Sequence, residues 1–182
     1  MSIPERVMQS EYMHWAKTHI HARYNIGASG VANYPLSSLP VRLEELEITG
    51  DSFYGYAPLQ EAISLHTGVP VERVFSALGT SQANHIAMAA LLRPGDEVLI
   101  EQPTYELVVS AALYLGASVV RFPRESGDNF SVLPEEVERR ITPKTKLVVL
   151  TNLHNPTSAL TGDDTLKEIA HACGKVGARV LV

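Results

Sequence analysis

The sequence predicts an α/β fold in which a mainly parallel β-sheet carries helices on both faces, a three-layer α/β/α arrangement. Strand-like and helix-like segments alternate from residue 56 onward. The strand-like segments are continuous apolar runs such as KLVVL, which is typical of parallel strands buried on both faces. Apolar residues make up 45% of the 182 residues, enough for one domain with a proper core.

The first part of the chain predicts little regular structure. Residues 4–18 have the pattern of a short amphipathic helix that begins after Pro4. Residues 24–52 show no clear periodicity and contain several glycines and prolines, so they predict a long loop. A loop of this length is uncommon unless it is functional or packs on a partner.

The regular part of the chain divides into alternating elements in a fixed order. Proline at the first turn of one helix and glycine at the end of others are typical helix boundaries. Helices are predicted over residues 56–68, 81–96, 105–116, 133–141 and 163–177. Strands are predicted near residues 74–78, 97–101, 118–122, 146–151 and 178–182, all in one sheet.

Composition and charge exclude several classes of function. The chain has 15 Lys and Arg against 20 Asp and Glu, with no basic run, which argues against binding nucleic acid or an anionic membrane. The N-terminus is polar and predicts neither a signal peptide nor a membrane span. The single cysteine, Cys173, forms no internal disulfide, fits a reducing cytoplasm and predicts an inert core thiol. No metal site is predicted.

A candidate phosphate site follows the first predicted strand. In ALGTSQAN, Gly79 permits a close turn, and Thr80 and Ser81 bring hydroxyls and backbone N–H groups to the start of a helix. Such a helix start attracts phosphate through its free amides and its dipole. Threonine and serine are also ordinary helix caps, so this motif by itself leaves both interpretations open.

Two further strand ends carry a ring and an amide. Tyr105, in EQPTYELV, has a ring that could stack on a flat ligand or pack on its own helix. In NLHNPTS, Asn155 could donate a hydrogen bond to a ligand oxygen, whereas His154 predicts a satisfied structural histidine and Asn152 a strand-end cap. Because parallel strands bring their carboxyl ends to one edge, the three motifs together suit a planar heteroaromatic phosphate.

With these motifs in this order, the chain resembles the fold-type I pyridoxal-phosphate aminotransferases of class I/II over nearly its whole length. The stretch YGYAPLQEAI resembles the family's Gly-x-x-x-Leu-Arg, with Gln60 where arginine is usual. LGTSQA looks like the phosphate-binding turn, and LLRPGDEVLIEQPTYELV is similar to the family's Pro-Gly-Asp strand and following aromatic. NLHNPTS matches Asn-Pro-Thr-Gly, with Ser158 where glycine is usual.

The resemblance implies a role for each matching residue. Pyridoxal 5'-phosphate is the implied cofactor, and an amino acid and a 2-oxo acid are the implied substrates. Tyr105 would stack on the pyridine ring and Asn155 would bond its hydroxyl. The remaining assignments are the phosphate turn and the glycine near the substrate carboxylate: Gly79, Thr80, Ser81 and Gly30, the last in a stretch that departs from the family's Gly-x-Pro-Asp.

The resemblance also implies domains and assembly. Residues 1–52 would form an N-terminal helix and an irregular arm of the small domain and dimer interface, and residues 53–182 an incomplete, truncated cofactor-binding large domain. A homodimer is expected, with Tyr54 the nearest candidate, at an unusual spacing, for the tyrosine that reaches the partner's cofactor phosphate. The implied setting is cytoplasmic amino-acid metabolism and biosynthesis.

No catalytic residue is assigned in this chain. In the family, the strand that matches ARVLV leads into Asp-x-x-Tyr, whose aspartate pairs with the pyridine nitrogen, and a Schiff-base lysine and a substrate-binding arginine come later. None of these is present, so the sequence is interpreted as an N-terminal portion that does not turn over by itself. Another fold-type I enzyme (lyase, decarboxylase or synthase) and a non-catalytic phosphate-binding α/β module remain alternatives.

Overall fold

The computed structural model describes residues 10–19, 21, 23–24, 33–50 and 55–182. Gly30 and Tyr54 lie outside these ranges. The described residues form six α-helices: α1 Glu11–Thr18, α2 Ala57–Thr67, α3 Thr80–Leu91, α4 Glu106–Tyr114, α5 Pro134–Glu138 and α6 Asp163–Val176. They also form four strands: β1 Glu97–Gln102, β2 Ser118–Pro123, β3 Thr145–Val149 and β4 Arg179–Leu181.

The four strands form one parallel sheet with the order β2-β1-β3-β4. Strand β1 lies inside the sheet, where Val98 pairs with Val119 of β2 and with Leu147 of β3. The chain therefore crosses over β1 between β2 and β3, and the carboxyl ends of β1 and β3 lie side by side. The predicted parallel sheet is confirmed.

Helices cover both faces of this sheet. Successive residues of a strand point to opposite faces, so each face contributes its own apolar side chains to the helices that cover it. One apolar cluster joins the sheet to α3 and α4: Met88, Leu92, Val98, Ile100, Val108, Ala112, Ala117, Leu147 and Val149. The other joins it mainly to α5 and α6: Leu99, Phe122, Val132, Val137, Val148, Leu150, Ile169, Cys173 and Ala178. The three-layer α/β/α arrangement and the buried position of Cys173 are confirmed.

The strand predicted near residues 74–78 is wrong. Residues 74–77 have no regular structure and follow a short 3-10 helix, Val71–Arg73. The backbone oxygen of Val74 accepts a hydrogen bond from the side-chain amide of Gln60 at 3.0 Å, where a strand would bond to a neighbouring strand. An apolar run becomes a strand only with a pairing partner, and no described segment provides one.

The chain divides into two compact units, Met1–Trp15 with Gly79–Val182, and Ala16–Leu78. In the second unit, residues 33–50 contain only two 3-10 helices, Leu36–Ser38 and Leu43–Glu45, so the irregular structure predicted there is confirmed for this stretch. The functional division at residues 52 and 53 stays a prediction. No helix in the described part of the chain is long and apolar enough to cross a membrane.

Candidate binding site at the strand ends

Two of the predicted ligand-binding residues follow neighbouring strands. Strand β1 ends at Gln102 and leads to Tyr105, which precedes the first residue of α4. Strand β3 ends at Val149 and leads to the loop that contains Asn155. Since Ile100 of β1 pairs with Val149 in parallel register, both loops leave the sheet at the same edge.

Tyr105 is half-buried and packs against the apolar cluster of α3 and α4. Its hydroxyl donates to the sulfur of Met13 at 3.3 Å, and its ring meets Tyr12 edge-on, with the ring centroids 5.9 Å apart. The side chain of Ser10 and the backbone N–H of Tyr12 both donate to the carboxylate of Glu106, at 2.7 and 2.8 Å. The start of α1 is thus bonded to the segment that carries Tyr105.

Asn155 lies in a loop whose other polar residues bond to one another. Its backbone N–H donates to Oγ1 of Thr151 at 2.9 Å. The amide of Asn152 accepts from the backbone N–H of Thr161 at 3.0 Å and donates to its carbonyl at 3.1 Å, so Asn152 closes the loop. The side chain of Asn155 is exposed and makes no hydrogen bond to any described residue. The loop therefore exposes the side-chain amide of Asn155, while the hydrogen bonds of Thr151, Asn152 and Thr161 hold the loop in place.

Ser158 shows why glycine is usual at this point of the motif. Its φ of 63° lies in the left-handed region, which disfavours residues with a Cβ atom. The backbone N–H of Ser158 donates to the carbonyl of His154 at 2.7 Å and closes the tight turn after Asn155.

A fully buried ion pair lies beneath this loop. Nη1 of Arg124 donates to Oε2 of Glu101 at 2.7 Å, and both side chains are fully buried. Oε1 of Glu101 accepts from the backbone N–H and the hydroxyl of Thr151 at 2.7 and 2.6 Å. Arg124 also donates to the carbonyl of Phe130 at 2.6 Å and to the hydroxyl of Thr161 at 3.4 Å. Every charged group of the pair is therefore hydrogen-bonded, as burial requires.

Sequence reasoning missed this pair, although a local indication was present. Glu101 follows three buried apolar residues of β1, and Arg124 directly follows β2, so each charge adjoins a segment that enters the core. Charged residues in such positions are rarely buried unless they are paired. Arg121 adds to this environment, because its Nη2 donates to the carbonyl of Glu101 at 2.7 Å. Burial lowers the pKa of Arg121, and the nearby Glu101 carboxylate opposes that shift.

His154 is a satisfied structural histidine, as predicted. It is 1% exposed, and both ring nitrogens have partners. Nε2 lies 2.9 Å from the carbonyl oxygen of Pro103, and Nδ1 lies 2.6 Å from the hydroxyl of Thr157. The first of these bonds joins the loop that leads to Tyr105 with the loop that contains Asn155.

The predicted phosphate turn lies at the start of α3. Gly79 has a φ of 86°, and a Cβ added there would meet no atom within 4 Å, so the space beside it is open. No side chain caps α3, and Thr80 and Ser81 are exposed. Helix α3 packs against α4, but among the described residues no hydrogen bond links residues 79–81 to Tyr105 or Asn155.

The start of α3 and the loops after β1 and β3 offer groups that fit the parts of a flat, phosphorylated heteroaromatic ring. An uncapped helix start beside open space suits a phosphate, and an exposed amide suits a ring oxygen. Thr104, next to Tyr105, has a buried hydroxyl with no hydrogen-bond partner among the described residues. A buried polar group without a partner is unfavourable, so the edge has bonding capacity that the chain itself does not use.

A family model and several known proteins match the chain. The model described as "Aminotransferase class I and II" matches residues 45–182. An arginine–pyruvate transaminase of Pseudomonas aeruginosa is 38% identical over 108 residues, which are 58% of this chain and 27% of that protein. A glutamate-pyruvate aminotransferase of Escherichia coli is 38% identical over 102 residues, 56% of this chain and 25% of that protein. The chain thus matches only about a quarter of these relatives' length.

Solved structures of aminotransferases also superpose on this chain. A mutant aspartate aminotransferase from Thermus thermophilus superposes with a TM-score of 0.67 at 28% identity, over 70% of this chain and 37% of that structure. A PLP-dependent aminotransferase from Streptococcus suis superposes with a TM-score of 0.70 at 27% identity, over 76% of this chain and 37% of that structure.

Proposed function

Because this chain belongs to the class I and II aminotransferases, we propose that the whole protein is a pyridoxal-phosphate-dependent transaminase, which moves an amino group from an amino acid to a 2-oxo acid. When bound, the cofactor supplies an electron-withdrawing ring that stabilises negative charge at the substrate's reacting carbon. This chain's part in the reaction is to bind and orient that ring.

Each proposed ligand matches one part of the cofactor. Backbone N–H groups and hydroxyls of residues 79–81 bind the phosphate, where the dipole of α3 favours negative charge. The ring of Tyr105 lies against the pyridine face and shields it from water. The side-chain amide of Asn155 donates to the ring hydroxyl oxygen. The observation that carries the proposal is the free, exposed amide of Asn155, held at the same sheet edge as Tyr105.

The finer features are also proposals. We infer that Gly30 lies near the substrate carboxylate, that the segment 24–52 contributes to a homodimer, and that the enzyme acts in cytoplasmic amino-acid biosynthesis. The single cysteine agrees with a reducing compartment. Light scattering tests the assembly: a dimer is expected, and a clean monomer at micromolar concentration would count against it.

An absorbance titration tests the reaction. The whole protein is mixed with pyridoxal phosphate, then with arginine or glutamate as donor and pyruvate as acceptor, the substrates named for the two relatives above. The expected result is a spectral change on cofactor binding, a second change with a donor, and alanine formed from pyruvate. Cofactor binding with loss of carbon dioxide and no amino transfer would favour a decarboxylase, and absence of cofactor binding would exclude both enzymes.

A further inference from the structure

The imidazole of His154 bonds two loops that leave different strands. The carbonyl oxygen of Pro103 only accepts, so the nitrogen 2.9 Å from it, Nε2, carries a proton and donates. Nδ1 lies 2.6 Å from the hydroxyl of Thr157, which can donate to it or accept from it. Pro103 is 51 residues from His154 in the sequence and Thr157 is three residues from it, so the first bond is between loops and the second is within a loop.

The bond between loops lies next to both proposed ring ligands. Pro103 is two residues before Tyr105, and His154 is directly before Asn155. Few backbone torsions separate the bond from either residue, so a change at His154 is transmitted to both. We propose that His154 is a positioning residue that sets the amide of Asn155 relative to the ring of Tyr105, an inference that rests on the proposed function.

The loop that leads to Tyr105 has few other ties near Pro103. Proline has no N–H to donate, and the hydroxyl of Thr104 has no partner among the described residues. The backbone carbonyl of Gln102 accepts from Arg124 at 2.8 Å, but that bond lies one residue before Pro103. The carbonyl bond to His154 is therefore the tie that directly relates residues 103–105 to the neighbouring loop.

The loop around Asn155 has a second anchor that does not involve His154. Glu101 holds Thr151 through two hydrogen bonds, and Thr151 accepts from the backbone N–H of Asn155 at 2.9 Å. When His154 is lost, this anchor keeps Asn155 near β1, while Pro103 loses its bond to the neighbouring loop. The expected effect is a misplaced ring relative to the amide, in a protein that stays folded.

Two substitutions separate the two bonds of His154. Asparagine reaches the position of Nδ1 but not that of Nε2, so His154→Asn keeps the bond to Thr157 and loses the bond to Pro103. Glutamine places an amide N–H near the position of Nε2, so His154→Gln keeps the bond to Pro103. The matched control is His171→Asn, because His171 is exposed on α6.

The experiment measures cofactor binding to the whole protein by fluorescence quenching, with circular dichroism of the bound cofactor and thermal melting. His154→Asn is expected to weaken binding of pyridoxal phosphate about tenfold, the effect of one lost hydrogen bond, and to alter the dichroism of the bound ring. His154→Gln and His171→Asn are expected to bind within about twofold of the wild type. A histidine that only fills the core would change the melting temperature and leave binding and dichroism of the folded enzyme unchanged.

Each outcome bears on one claim. If the wild type fails to bind pyridoxal phosphate, the proposed function is wrong. If the wild type binds and His154→Asn binds equally well, or if His154→Asn and His154→Gln weaken binding equally, the positioning role is refuted. If His154→Asn does not fold, His154→Gln is compared with His154→Leu, which fills the space but makes neither bond: a tenfold loss of binding in His154→Leu alone supports the role, and equal binding by the two variants overturns it.

Discussion

Replacing Arg124 with methionine is expected to lower the free energy of unfolding by about 3–5 kcal/mol, because it leaves the buried Glu101 carboxylate without its countercharge. The two side chains lie 2.7 Å apart and are fully buried. Methionine is also a long unbranched side chain, but it lacks the N–H groups with which Arg124 donates to Glu101, Phe130 and Thr161. Two donors from Thr151 remain on the Glu101 carboxylate, so we expect the lower end, about 3 kcal/mol.

Urea unfolding, followed by circular dichroism, measures this loss against an exposed ion pair. Lys167 lies 3.0 Å from Asp164, with side chains 74% and 94% exposed, so Lys167→Met is expected to change stability by less than about 1 kcal/mol. The double variant Glu101→Gln with Arg124→Met is expected to recover part of the loss, because no unpaired charge remains. If Arg124→Met costs no more than Lys167→Met, the assigned role of the buried pair is wrong.

Three further predictions concern the loop, the core thiol and the proposed ring ligands. Ser158→Gly is expected to raise the free energy of unfolding by up to about 1 kcal/mol, since it relieves a φ of 63°, and a clear loss in urea unfolding would contradict this. Burial raises the pKa of the Cys173 thiol to about 11, above its ordinary value of about 9, so the thiol stabilises the fold fully below pH 9 and loses this contribution as the pH rises toward 11. The free energy of unfolding of the wild type, relative to that of Cys173→Ala, is expected to fall over this range, and a constant difference would refute the shift. Asn155→Ala and Tyr105→Ala are expected to weaken cofactor binding about tenfold with little change in melting temperature, and unchanged binding in both would remove them from the site.

The local sequence pattern was sufficient to predict most of the helices and strands near the site. The strand predicted over residues 146–151 and the helix predicted over 163–177 appear as Thr145–Val149 and Asp163–Val176. Both have a local sequence pattern that predicts the element: the strand is a buried apolar run, and the helix has acidic residues in its first turn and glycine just after its end. The segment 74–78 carried a similar apolar run, but the described chain offers it no strand to pair with, and pairing is not a local property.

The sequence by itself determined the order of helices and strands from α3 onward, the parallel sheet and the polar residues that follow its strands, because these depend on patterns a few residues long. Only the tertiary structure decided which distant residues meet. The bond between Arg124 and Glu101 spans 23 positions, and the bond between His154 and Pro103 spans 51. The first exists because β2 pairs with β1, and the second because the chain crosses over β1 and brings β3 beside it. The partners of a buried charge or a buried imidazole are set by which strands pair in the sheet, so no local pattern of the chain contains them.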